Sequence, residues 1–396
     1  MKVKFLDLGN QPIANGFLKP DQTKDEFFFN LSIGFDRETK LVSLMEFVDK
    51  GKLFNEDYVY VSSGSKTMRK HFKTTSKLIK DRFSPKKVLE IGSNDGVFIK
   101  NFARSKSLAV EPCGNFAELT NKLGYKTRAS FWNQETSDNI VQEDGTVDVV
   151  FSANCMCHIP DLYNAFKAVE SVLSPDGVFI FEDPSLDNMI VKNSFDQIYD
   201  EHAHIFSVIA LSNVLNEAGL EIFDVQKLTV HGGSNRIFAK KKSNEWIKIE
   251  KSVKESLDKE VELGLGEFKT YENFAIRVQE NKRQLVNLLK DLKNNNKKVI
   301  GYGATSKSTV VYNYCGIDRS LLFCVTDTTS YKQNKLAPGV HIPVVSPPDA
   351  GIDETVDYAF LGAWNFEKEI RQKEKKFLKR GGKFITHVPT VKVLEA

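Results

Sequence analysis

From Lys87 onward the chain repeats one pattern: an apolar run, a tight turn, then a stretch with helical spacing. KKVLEIGSNDGVFIKNFA holds a strand, a glycine turn and a helix, and SLAVEP, VDVVFSAN and GVFIFED read as further strands. Between the last two, DLYNAFKAVESVLSPDG reads as a helix with a Pro/Gly exit. The pattern returns in KKVIGYGATSKSTVVYNY, LLFCVTDTT, VDYAFLGAW and GGKFITHVP. Strands alternating with helices predict an α/β fold with a parallel, doubly wound sheet, here present twice.

Residues 1–62 read differently, as short strand and turn pieces (KFLDLG, QPIANGF, FFFNLSIGF, LVSLMEFV). GSKTMRKHFKTTSKLIKDRF is expected to be a helix with Met68, Phe72 and Leu78 inward. The charged stretch before the second α/β unit is expected to be a helical connector with solvated faces, on Phe274, Val278, Leu285 and Leu289. These divisions predict three domains: 1–62, 63–244 and 245–396, the last including the connector.

The 396 residues carry 55 basic and 52 acidic side chains, a net charge of +3, which argues against a nucleic-acid binder. MKVKFLDLGN lacks the apolar run of a leader, and no apolar run is long enough to span a membrane. The five cysteines are odd in number and scattered, so a reduced, cytoplasmic protein is expected. Cys155 and Cys157 have the wrong spacing for a zinc knuckle and are expected to be small buried residues.

The turn after Val88–Leu89 has the form E-x-G-x-x-x-G: Glu90, Gly92, Asn94, Asp95, Gly96. Glycines there let a ligand approach the backbone, and the next helix start offers free amides. Glu111 ends the following strand, where such folds bind a ribose diol. The carboxylates suit a cationic sulfonium better than a pyrophosphate. Together these features resemble the S-adenosylmethionine (SAM) site of class I methyltransferases, with Glu90, Gly92, Asn94, Asp95, Gly96, Glu111 and Asn154 as cofactor-binding candidates. A nicotinamide site and a turn with no ligand are the alternatives.

A methyl donor needs a nucleophile. If that nucleophile is carbon, a base must remove a proton beside a carbonyl. DQIYDEHAHIF (196–206) supplies the residue types: Tyr199, Glu201 and His202. A histidine near its ordinary pKa suits proton transfer at neutral pH. Here the chain resembles the sugar C-methyltransferases that act on nucleotide-linked ketosugars in deoxysugar biosynthesis. LDLGNQPIANGFL, DYVYVSSGSKTMRKHF, NCMCHIPDL, FDQIYDEHAHIFS, HGGSNRIFA, GYGATSKSTVVYNYCGI, TDTTSYKQNKLAPGVHIPV and AWNFEKEI carry the resemblance, over nearly the whole chain.

That resemblance implies a class I SAM-methyltransferase (Rossmann-like) core, a small N-terminal domain and a C-terminal Rossmann-like domain. It implies SAM as methyl donor and a small nucleotide-sugar as substrate, with no nucleic-acid or membrane partner. His202 would be the base, Tyr199 and Glu201 its partners, His158 a neighbour of the reacting carbon, and Tyr60 a residue closing over the pocket. A C4 ketone would acidify the C3 proton, and the C3 carbanion or enolate would attack the methyl group. Two departures stand out. The family's N-terminal zinc cysteines are missing, since no cysteine precedes Cys113, so no zinc or other metal is expected. Asp200 stands where the family signature has histidine.

HGGSNRIFA offers Ser234, Asn235 and Arg236 to the substrate, or is a plain turn. Around Gly301–Ala304, the resemblance implies that Tyr302, Lys307, Asp327, Trp364 and Asn365 hold the nucleotide, Lys307 through phosphate and Trp364 by stacking. A scaffolding role for this unit is the other reading. His71, His204 and His387 are expected to be structural. Two rival functions are open: an O- or N-methyltransferase on another metabolite, and a non-catalytic SAM or nucleotide binder.

Overall fold

The computed structural model describes residues 1–56, 58 and 60–395. Its N-terminal sheet is antiparallel: β1 (Lys2–Pro12), β2 (Phe28–Asp36) and β3 (Val42–Leu44). The middle sheet takes β4 (Val88–Ile91), β5 (Ser107–Val110), β6 (Lys126–Arg128), β7 (Val147–Ala153) and β8 (Leu173–Pro184). A two-residue strand, β9 (His204–Ile205), leaves this unit and pairs with β3, becoming the fourth strand of the N-terminal sheet. The chain returns as β10 (Leu220–Leu228) and β11 (Ser234–Lys241).

The middle order is β10-β11-β8-β7-β4-β5-β6. β4 through β8 are parallel, and β11 is antiparallel to both β8 and β10. From β4 the chain winds to β5 and β6 on one side, then crosses to β7 on the other. That reversal opens a crevice at the carboxyl ends of β4 and β7, the place where such sheets bind ligands. A third sheet repeats the device: Val299–Tyr302 lies between Val325–Thr326 and Tyr358–Leu361, all parallel.

The helix Lys66–Phe83 is capped by Ser65, which accepts from the Met68 amide, and ends at Ser84 with φ +45°. Its buried stripe is Met68, Phe72, Thr75, Ser76 and Ile79. Leu78 sits on the edge of that face, half-buried, because Ile79 falls closer to the centre of the stripe.

The expected solvated connector is corrected more strongly. It forms two helices, Lys251–Glu262 and Phe268–Asn294, broken between them at Gly264 (φ +69°). The second is a core helix. Tyr271, Phe274, Val278, Leu285 and Leu289 are fully buried in one cluster with Ile33, Phe35 and Leu44 of the N-terminal sheet and Val311 and Tyr312 beyond. Only its outer face meets solvent.

This packing holds the N-terminal sheet together. The Phe35 and Tyr271 rings stack 4.7 Å apart, and the Tyr271 hydroxyl donates to the Leu265 carbonyl at 2.6 Å. Tyr271→Phe leaves that carbonyl unpaired. It is expected to cost about 1–2 kcal/mol in urea unfolding, with SAM affinity unchanged.

Candidate active site

The turn after β4 starts at Gly92, with φ +75°. A Cβ there would lie 2.8 Å from the Cys155 sulfur. Asn94 then takes φ +48°, a conformation asparagine tolerates. Its amide donates to Glu111 Oε2 at 2.6 Å, and the Cys113 amide donates to Glu111 Oε1 at 2.9 Å. The Asn94 side chain reaches the other way: Oδ1 accepts from the Ser62 amide (2.9 Å) and Nδ2 donates to the Tyr60 carbonyl (3.0 Å). One residue therefore fastens the N-terminal segment to the turn.

A cavity of about 430 Å³ opens here, lined by Gly92, Asn94, Glu111, Asn154, His158 and Tyr60, with Phe54, Phe131 and Trp132 as apolar walls. That is within the range for a small-molecule site. Of the seven cofactor candidates, Gly92, Asn94, Glu111 and Asn154 are on the wall. Glu90, Asp95 and Gly96 are off it. Glu90 accepts from the Ile99 amide at 3.0 Å, and burial pushes its pKa well up, so it braces the turn from behind. Gly96 packs against Thr120. The size, the acidic Glu111 at the end of β5 and the aromatic walls fit SAM. Glu111 would take the ribose, and Gly92 and Asn154 would let the donor close to the backbone.

Beyond His158 lies the imidazole cluster. His202 Nδ1 is 2.7 Å from the Gln197 carbonyl, which makes it the protonated nitrogen and leaves Nε2 basic. The Tyr199 ring lies 3.9 Å from that of His202, and the His158 ring stacks at 5.4 Å. Phe54 stacks on the far side of His158 at 5.3 Å. Burial lowers both imidazoles: His158 to about 3, and His202 well below the ordinary histidine value, with His158 and Lys307 adding to the effect.

Glu201 is buried and doubly bonded: Asn15 Nδ2 donates at 2.6 Å and the Tyr58 hydroxyl at 3.0 Å. Asp200 accepts from the Ala14 amide at 3.1 Å. Burial and the neighbouring Glu201 push the Asp200 carboxyl well up, and its bond from the Ala14 amide anchors the 13–16 loop. Sequence reasoning missed Asn15 and Tyr58. Asn15 lay in a segment read as a turn, and Tyr58 is two residues from the chosen Tyr60. A second cavity of about 240 Å³ opens beside them, lined by Asn15, Phe27, Lys52, Tyr58 and Glu201 among others.

The substrate candidates divide. Arg236 is spent inside the protein, on Glu182 (2.7 Å), Gln226 (3.0 Å) and Thr75 (2.6 Å). Glu182 is also held by His71 at 2.5 Å. The Ser234 hydroxyl donates to the Val230 carbonyl at 3.2 Å. The buried Asn235 has neither side-chain polar atom paired among the described residues. Trp364 is not free to stack: its Nε1 donates to Asp196 at 2.6 Å and its ring abuts Gly232, leaving Asn365 beside it on the same short turn. The Tyr302 hydroxyl turns to Glu374 at 2.6 Å, in the C-terminal core. Asp327 ties the Ala304 and Thr329 amides. Lys307 makes no hydrogen bond or ion pair among the described residues and interacts electrostatically with Asp196, Glu201 and His202. It lies near the imidazole cluster.

A parallel sheet with a ligand-sized crevice at its reversal point, walled by Glu111 and Asn94, defines a SAM-dependent methyltransferase of class I. A methyltransferase domain model matches residues 65–225, and a C-methyltransferase C-terminal domain model matches residues 229–389. C-methyltransferase NovU of Streptomyces niveus is 32% identical over 99% of this chain and 94% of its own length. The chain belongs to this C-methyltransferase family. Among solved structures, a SAM-dependent methyltransferase from Clostridium acetobutylicum matches at 17% identity, covering 45% of this chain and 93% of that one (TM-score 0.34). A 1,6-didemethyltoxoflavin-N1-methyltransferase from Burkholderia thailandensis matches at 18%, covering 44% and 80% (TM-score 0.33).

A further family model, whose description names zinc binding, matches residues 1–54. That stretch holds neither cysteine nor histidine, so the donors of a closed tetrahedral zinc site are missing from it. The sheet is held by burial against the helix Phe268–Asn294.

Proposed function

We propose that this C-methyltransferase acts on a nucleotide-linked 4-ketosugar, in deoxysugar formation, with His202 as the base that removes the C3 proton. The observation that carries the reading is the His202 ring. Its Nδ1 is fixed on the Gln197 carbonyl, and Nε2 is left as the basic nitrogen beside His158 and Tyr199. Bound SAM supplies an electrophilic methyl group. The C3–H electron pair becomes the new C3–methyl bond as the methyl–sulfur bond breaks and leaves its pair on the departing thioether, and the proton goes to His202 Nε2. Tyr199 and the Lys307 ammonium are the groups available for the developing enolate oxygen. Glu201, held by Asn15 and Tyr58, orients the sugar.

The test is incubation with SAM and a nucleotide-linked 4-ketosugar, then with the same sugar reduced at C4. Only the ketone should gain a methyl group, bonded to carbon by NMR. Methylation of the alcohol at oxygen would overturn the reading.

The pH profile is a second check. Burial favours the neutral imidazole, so His202 stays basic as pH falls through the ordinary histidine range near 6.5. The kcat/KM for methyl transfer should hold level from pH 8 to 6.5 and fall only below that. An acid limb centred at or above 6.5 would contradict it.

A further inference from the structure

The 155–158 segment and the 196–206 segment meet at three metal-ligating side chains. The Cys157 sulfur, a ring nitrogen of His158 and a ring nitrogen of His202 all lie within 4.8 Å of one another. Forty-four residues of chain separate the two histidines, so no local spacing in the sequence marks the group. His158 Nε2 is buried and has no hydrogen-bond partner among the described residues. His202 already has the support usual for a metal-bound imidazole, its other nitrogen directed to a backbone carbonyl. Cys157 is buried beside Asp183.

We propose that this triad is a soft-metal site, and that a zinc-class ion bound there shuts the enzyme off by capturing His202. One thiolate and two imidazoles suit Zn²⁺, Co²⁺ or Cd²⁺, whereas Mg²⁺ and Ca²⁺ prefer oxygen. A tetrahedral zinc site with these donors sets ligand atoms about 3.3–3.6 Å apart. The three atoms reach that spacing by side-chain movement of roughly an ångström. His158 lines the cofactor cavity, and three protein ligands leave one tetrahedral position for a water. Binding releases one proton, from the Cys157 thiol, to the solvent. No electron transfer is involved.

The occupied site and the proposed reaction exclude one another, because His202 Nε2 cannot hold a metal and accept a proton at once. The site is distinct from the region matched by the zinc-binding family model, residues 1–54: it lies in another part of the chain.

The experiment is a Co²⁺ titration of the full chain, freed of metal, followed by absorbance. One equivalent per chain should give a thiolate-to-cobalt charge-transfer band, displaced by Zn²⁺ and unaffected by Mg²⁺. Cys157→Ala should lose the band and keep SAM affinity. In chelator-treated protein, Cys157→Ala should retain turnover within about twofold, while the zinc concentration for half-inhibition rises at least tenfold. Zinc-edge absorption spectroscopy of the unmodified protein should show one sulfur and two imidazole nitrogens, so the result does not depend on that variant folding. A band that survives Cys157→Ala, unchanged zinc sensitivity, or a first shell without sulfur would each overturn the proposal. The spectroscopy needs no sugar substrate, so its failure is distinct from failure of the proposed function.

Discussion

His202→Asn is expected to lower kcat by about 10²–10⁴-fold, the usual worth of a general base. The asparagine amide can still reach toward the Gln197 carbonyl that holds His202 Nδ1 at 2.7 Å, so the loop keeps its shape. It has no basic lone pair to take the C3 proton. SAM affinity should stay within about twofold, since His202 is not on the wall of the larger cavity. Exchange of the sugar C3 proton with deuterated water, followed by NMR, reports proton removal directly. Wild-type exchange should be fast, and the variant's should fall in step with kcat. Undiminished exchange in the variant would remove His202 as the base and leave another group to be found.

Gly92→Val should abolish measurable SAM binding, a loss of at least about 100-fold by calorimetry, or roughly 2.7 kcal/mol. Two effects act together. The position has φ +75°, which a β-branched residue resists, and the new Cβ would meet Cys155 Sγ at 2.8 Å and Cys155 Cβ at 2.9 Å. Something must move, and the nearest movable element is the 153–158 segment that forms the opposite wall. Gly9→Ala is the control, because Gly9 has the same φ of +75° with nothing within 4 Å of its would-be Cβ. That variant should show a modest stability loss and intact SAM binding. Normal affinity in Gly92→Val would put the donor elsewhere.

Much of this architecture is visible in the order of the residues. VLEI, SLAV and VDVVFSA are short apolar runs ended by Gly92, Glu111 and Asn154, and they became β4, β5 and β7. Glu111 could be found because it stands at a fixed place, the end of the second strand of the unit. What could not be read was direction. Glu90 and Asp95 look equivalent to Glu111 in the sequence, but side chains alternate along a strand, and Glu90 points to the face behind the turn. Arg236 and Trp364 look like ligands for phosphate and base. Their partners, Glu182 and Asp196, come from 54 and 168 residues away, and no local pattern shows such a pairing. The helix Phe268–Asn294 looked solvated because charged and amide side chains are interleaved with its apolar residues along its whole length. The stripe of Tyr271, Phe274, Val278, Leu285 and Leu289 was present, and its importance depended on which surface it met.

The pairing of β9 with β3 limits how the enzyme can be taken apart. Ser43 is opposite His204, two residues after His202, and Val42 is opposite Ile205. The N-terminal sheet is thus stitched to the peptide that carries His202, the proposed base. A chimera that swaps residues 1–62 between two relatives, while leaving 196–206 behind, would inherit a mismatched seam at its most sensitive point. Recombination that moves both pieces together should yield working hybrids far more often.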